Sequence, residues 1–287
     1  MIMQKGILMG AVALLSSLIG TAQNDTTTVL PPPPPPVPQN TEQIYKLKPA
    51  IDVPLTLGTA GLSILGFSKI YSKDASSEYE IMSLKKADVN SFDRWAVDVY
   101  NPDAEKPSDA FFYASMPLPL VLMFDKDIRK DALKVGLLYL EAMGITGVFY
   151  TGSNYYVNRY RPLAYNPDVP MDIRREGGST NSFIAGHPAL VATSTFFTAK
   201  VFSDYNPDSK LKYVFWGAAI ASTGATAYLR HRAGKHFPSD LIVGTSIGAL
   251  SGILVPHFHK NKLFKNPNIS ITPFSGLSHG LAFRYKL

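Results

Sequence analysis

The stretch Tyr228-Leu-Arg-His-Arg-Ala-Gly-Lys-His-Phe-Pro-Ser-Asp240 places Arg230, His236 and Asp240 at spacings of six and then four. A carboxylate one helical turn from a histidine can hold the imidazole in one orientation and leave its far nitrogen more nucleophilic. A nearby arginine offers a planar fork of donors that matches phosphate oxygens. Residues of the same kinds recur earlier, in Arg161-Pro162 and in Ala185-Gly186-His187. Cleaving a phosphate monoester without a metal needs a nucleophile, a proton donor for the leaving oxygen, and cationic donors around the remaining oxygens. These stretches contain all three types. They contain no carboxylate cluster of the kind that holds Mg²⁺.

The three stretches, in this order and each beside an apolar segment of helix length, resemble the signature of the type 2 phosphatidic acid phosphatase superfamily, which also contains the vanadium haloperoxidases. That signature reads Lys-x6-Arg-Pro, then Pro-Ser-Gly-His, then Ser-Arg-x5-His-x3-Asp. The resemblance runs from about Ala132 to Pro256. It implies that His236 is the nucleophile and becomes a phosphohistidine. Asp240 would then accept a hydrogen bond from its other ring nitrogen, and His187 would be the general acid. Arg161 and Arg230 would clamp the phosphate, with the Gly186 N–H adding a donor at a helix N-terminus. It implies no metal and no cofactor.

The sequence departs from the signature at four positions. Asn154 stands where the family has lysine, Ile184 and Ala185 replace Pro and Ser, and Leu229 replaces Ser. Asn154 keeps one donor for the phosphate but no charge. Arg159, Arg232 and Lys235 lie close in sequence and could compensate.

The elements that must position these residues are helices. The 287 residues are 46% hydrophobic, carry a net charge of +6 and contain no cysteine. Disulfides and thiolate metal sites are therefore excluded. The positive charge suits phosphates or acidic lipid surfaces, but with no Lys/Arg run it does not argue for nucleic acid. Residues 1–22 read as a signal peptide, with Lys5 before an apolar Ile7–Ile19 core and Gly20-Thr21-Ala22 at the cleavage point. Residues 23–43 read as a linker, stiffened by the six prolines Pro31–Pro36. Residues 44–256 read as an all-α bundle of about six apolar helices, embedded in a membrane: Asp52–Ile70, Ala110–Phe124, Leu133–Ser153, His187–Phe202, Tyr213–Leu229 and Asp240–Val255. Abundant glycine would let these helices approach closely. Residues 257–287 form a tail in which alternating apolar residues predict a short β-hairpin.

Other residues invite weaker readings. Glu141, inside an apolar segment, would be functional or face a polar cavity. His257 and His259 read as an interfacial pair rather than a metal site, and His231 receives no role. Arg174-Arg175 reads as a solvated loop, and Asp93-Arg94-Trp95 as a surface or membrane-interface piece.

These readings converge on a phosphatase of the bacterial cell envelope acting on a lipid phosphate or diphosphate, such as phosphatidic acid, phosphatidylglycerol phosphate, undecaprenyl diphosphate or a lipid A type. The active site would face the periplasm from a multi-pass protein of the inner membrane. The alternatives are a soluble periplasmic acid phosphatase on small esters and a non-catalytic scaffold with a degenerate cradle. One conflict stands. Six spans with the motifs outside put the residues before Asp52 inside, whereas a cleaved signal peptide puts them outside. The conflict goes if one candidate span, Ala110–Phe124 foremost, does not cross, if the signal is not cleaved in the usual way, or if the bundle does not span at all.

Overall fold

The computed structural model describes residues 43–260, 269–275 and 279–285. The segments expected to be a signal peptide and, apart from its last residue, a linker lie outside the described residues. Six helices of eleven residues or more dominate the described part: α1 (Pro49–Tyr71), α2 (Glu105–Ser115), α3 (Ala132–Tyr156), α4 (Gly186–Tyr205), α5 (Leu211–Arg232) and α6 (Pro238–Phe258). Two strands, β1 (Ile269–Ser275) and β2 (His279–Tyr285), pair antiparallel with Ile269 opposite Tyr285.

Local chemistry sets where these helices begin and end. At the start of α1, Pro49 occupies a first-turn position and the Asp52 carboxylate reaches back to the Lys48 N–H. The segment expected over Ala110–Phe124 is two pieces, because Pro117 and Pro119 cannot continue a helix. After α2 the chain tightens into a 3₁₀ stretch, Leu118–Phe124. Together the pieces run the length of the bundle. Asp109 meets Arg230 at one end, and Asp125 accepts from Asn206 at 2.8 Å at the other. The prolines break this segment without stopping it short.

α4 is the axis of the assembly. It is buried along almost its whole length and packs against α2, α3, α5 and α6. Close approach between α4 and α6 comes from a glycine stripe. A Cβ on Gly248 would lie 1.9 Å from the Ala189 oxygen, and one on Gly252 would lie 2.5 Å from the Thr193 oxygen. A second small-residue seam joins α1 and α3, where Gly147 faces Ser63 and Gly144 faces Thr59.

The polarity of α1 is inverted relative to that of a helix in a water-soluble bundle. α1 turns Asp52, Thr56 and Ser63 inward and leaves Leu57, Ile64 and Leu65 about two-thirds exposed. Inside, hydroxyls pair across helices, as between Thr146 and Thr193 at 2.8 Å. α1, α3 and α6 are long and apolar enough to cross a membrane.

At the end away from the three motifs, Tyr45 bridges Lys260. There His259 turns inward, with Nε2 at 3.4 Å from Asp52 and 3.8 Å from Glu141. The expected interfacial pair of histidines is thereby corrected. His259 faces two buried acids because its position just past α6 points it back between α1 and α3.

Candidate functional site

The third motif is a helix–turn–helix joint. α5 closes in a Schellman motif: the Gly234 N–H donates to His231 O at 2.9 Å, and the Lys235 N–H to Arg230 O at 3.1 Å. Gly234 sits at φ +67°, and a side chain there would also press on the Val99 oxygen. This turn stacks Lys235 and His236 over Arg230. The chain then enters α6 through Pro238, and Asp240 Oδ2 accepts the Phe237 N–H at 2.9 Å.

His236 is 3% exposed, and its Nδ1 lies 2.8 Å from the Ser182 carbonyl oxygen. A carbonyl can only accept, so Nδ1 carries the proton and Nε2 keeps its lone pair. Burial, followed by the charges of Arg161 and Arg230, holds this imidazole well below its ordinary pKa, and it is neutral. A neutral ring with a free Nε2 is the form a nucleophile needs.

Asp240 does not contact His236 as the resemblance implied. Its oxygens are taken by Arg159, by the Ser182 hydroxyl at 2.6 Å and by the Phe237 N–H. The reason is Arg159, which clamps two buried carboxylates. It pairs with Asp240 through Nη1 and with Asp93 through Nη2 at 2.7 Å, while its guanidinium lies 4.3 Å over the Phe237 ring. Asp93 also accepts the Ser239 N–H at 3.0 Å and the Asn90 amide at 2.8 Å. Burial raises the Asp93 carboxyl, but these bonds outweigh it and hold the group below its ordinary pKa. Arg159 is therefore a strut behind the site rather than a compensating phosphate ligand.

The second motif opens α4. A Cβ on Gly186 would lie 2.5 Å from the buried Tyr150 ring, so only glycine lets the helix start there. The first-turn N–H groups of Gly186 and His187 have no acceptor within their own helix, and a helix N-terminus of this kind favours anions. His187 follows, half-buried, with Phe112 packed on it at a centroid separation of 4.5 Å. Burial, then Arg230, Arg161 and Lys235, push its pKa down to about 3. Arg161 is fixed by its N–H bond to Ser179 O at 2.8 Å. The Nε atoms of Arg161 and Arg230 are buried without a partner among the described residues.

The structure thus gathers Arg161, Gly186, His187, Arg230 and His236 around one cradle. Asn154 is not a phosphate donor. It is fully buried, and its amide N–H groups go to Tyr150 O at 2.9 Å and Ile184 O at 3.3 Å. Of the nearby cations, Arg232 points to solvent, whereas Lys235 joins the cradle and pairs with Glu105 at 2.9 Å. Sequence reasoning missed Asp93, Ser182, Glu105 and Asp109. The one readable signal was the i, i+4 spacing of Glu105 and Asp109, which puts both acids on one helix face.

No curated protein matches the chain. Among solved structures, the chain is similar to a transmembrane PAP2 type phosphatidylglycerolphosphate phosphatase from Bacillus subtilis. The two share 22% identity over 72% of this chain and 94% of the other, with a TM-score of 0.45. Residues 135–264, a little under half of the chain, match the family model described as the PAP2 superfamily, and this matched region supplies all three motifs.

Proposed function

We propose that the protein is a membrane-embedded phosphatase that hydrolyses a lipid phosphate or lipid diphosphate through a phosphohistidine on His236. The observation that carries this reading is the neutral His236, its Nε2 free, among Arg161, Arg230, Lys235 and the N-terminus of α4. His236 Nε2 attacks phosphorus, the bond to the leaving oxygen breaks, and that oxygen takes a proton from His187, whose protonated form the bound phosphate's negative charge favours. Water then attacks the phosphohistidine, giving up a proton to His187 and releasing inorganic phosphate. The guanidinium groups and Lys235 balance charge on the transferred phosphoryl oxygens. The positive charge around the cradle is supplied by side chains, so turnover is expected to survive EDTA.

Two features support a lipid rather than a soluble substrate. The apolar outer face of α1 suits surrounding lipid. An apolar cavity of about 360 Å³ lies between α2, α4 and α5, lined by Phe111, Leu118, Thr195, Val214 and Phe215 among others. Thr195 and Ser222 on its wall each stand eight residues from the cradle residues His187 and Arg230, or roughly 12 Å along a helix. A headgroup in the cradle would place its chain alongside this cavity. The test is a phosphate-release panel on purified protein, with lipid phosphates in micelles beside small soluble esters. Faster release from the lipids is expected. Release from soluble esters alone would favour a soluble-type acid phosphatase, and none from any substrate would favour the scaffold reading.

A further inference from the structure

The cradle already holds an anion of its own. One oxygen, Asp109 Oδ1, lies 3.3 Å from His187 Nε2 and in direct contact with Arg230 Nη2. These are the two groups that the proposed mechanism aims at a phosphoryl oxygen. One turn earlier on α2, Glu105 reaches Lys235 at 2.9 Å and Arg230 at 3.7 Å. Arg230 and Lys235 are nearly covered, whereas the two acids are more than one-third exposed. Two acids at the mouth thus neutralise the cations behind them.

The geometry points to Asp109 as a displaceable carboxylate that occupies the position of a phosphoryl oxygen and sets the charge a headgroup must carry to enter. A phosphate monoester bears about two negative charges near neutral pH, and a diphosphate bears more. Either can outbid one carboxylate for Arg230 and His187. A phosphodiester headgroup carries a single charge and gains nothing by the exchange. Such diesters surround any membrane enzyme in large excess, so a gate of this kind keeps them out of the cradle. Both acids are exposed enough to swing toward solvent as side chains without moving α4 or α5.

This inference rests on the phosphoryl reading of the cradle, and the test separates the two. Inorganic phosphate is titrated into purified wild-type and Asp109→Asn protein in detergent and binding is measured by calorimetry. Asp109→Asn should bind it roughly ten- to a hundredfold more tightly, the span expected for a charged hydrogen bond no longer contested. In micelles, a phosphatidylglycerol diester should inhibit monoester hydrolysis by the variant and leave the wild type untouched. Glu105→Gln, which acts through Lys235, should tighten phosphate severalfold and carries the test should Asp109→Asn misfold. Equal or weaker phosphate binding by the variants would overturn the gate and make Asp109 a fixed strut for Arg230. Absence of phosphate binding by every protein would instead overturn the cradle reading itself.

Discussion

His236 Nδ1 lies 2.8 Å from the carbonyl oxygen of Ser182, whose hydroxyl donates to Asp240 at 2.6 Å. The carboxylate steers the imidazole through a neighbouring peptide instead of touching it. Ser182→Ala keeps the carbonyl and loses only the hydroxyl. It should lower stability by about 1–3 kcal/mol, from the Asp240 oxygen left short of a donor, with a small effect on rate. Asp240→Asn breaks a buried pair with Arg159 and should cost about 3–5 kcal/mol. His236→Ala should abolish the phosphoenzyme altogether. Thermal unfolding and acid-quenched phosphoenzyme trapping check the series. A phosphoenzyme in His236→Ala would remove the nucleophile assignment.

His187 stands at the first turn of α4, against Phe112. As the proposed proton donor to the leaving oxygen, it should matter most for poor leaving groups. His187→Ala should lose roughly 10²- to 10⁴-fold on a lipid alkoxide and much less on an activated aryl phosphate. Parallel assays on the two substrates decide this, since equal losses on both would exclude the general-acid role.

The low pKa of His187 has a thermodynamic signature. Its folded value of about 3 lies below the ordinary 6.5, so between these values the unfolded chain binds more protons. The neutral site therefore contributes stability that is present above pH 6.5 and is lost as pH falls toward 3. Without phosphate, the unfolding temperature should drop on acidification from pH 7 to 4. Bound phosphate favours the protonated ring and should flatten that slope. A slope unaffected by phosphate in the wild type and in His187→Ala alike would contradict it.

The α4–α6 seam predicts a packing failure away from the chemistry. Gly248→Val would drive a side chain into the Ala189 backbone, which cannot yield without parting the helices. Overpacking of this kind costs about 1–3 kcal/mol. Because α4 presents His187 and α6 carries Asp240, activity should fall with the unfolding temperature. A variant of unchanged thermal stability would show the seam to be looser than the backbone contact implies.

The helical segments were legible because each is an apolar run bounded by polar residues or prolines, and that pattern is local. The three motifs were legible for a similar reason, since each keeps its residues within one turn of a helix end. The Asp93–Arg159–Asp240 clamp was not, because its members are 66 and 81 residues apart and no local pattern joins them. Asn154 was misread because a donor next to a motif looks available until burial obliges it to satisfy nearby carbonyls. Lys235 and Arg159 looked equivalent as spare cations. Only the fold shows one turned into the cradle and the other behind it.

The bridge between Tyr45 and Lys260 sets both residues at one end of the bundle. Since residues 105–124 traverse the bundle despite their break, the chain runs the length of the bundle an even number of times between these two residues, and both lie at the end away from the cradle. In a bundle that spans a bilayer, Tyr45 and the mouth of the cradle therefore belong to different compartments. Export of the backbone at Tyr45 would turn the cradle toward the cytoplasm, and a cradle open to the periplasm keeps Tyr45 inside. If the bundle spans, a cleaved signal peptide and a periplasmic cradle exclude one another, and labelling a single cysteine introduced beside Tyr45 from outside intact cells tells on which side the cradle lies.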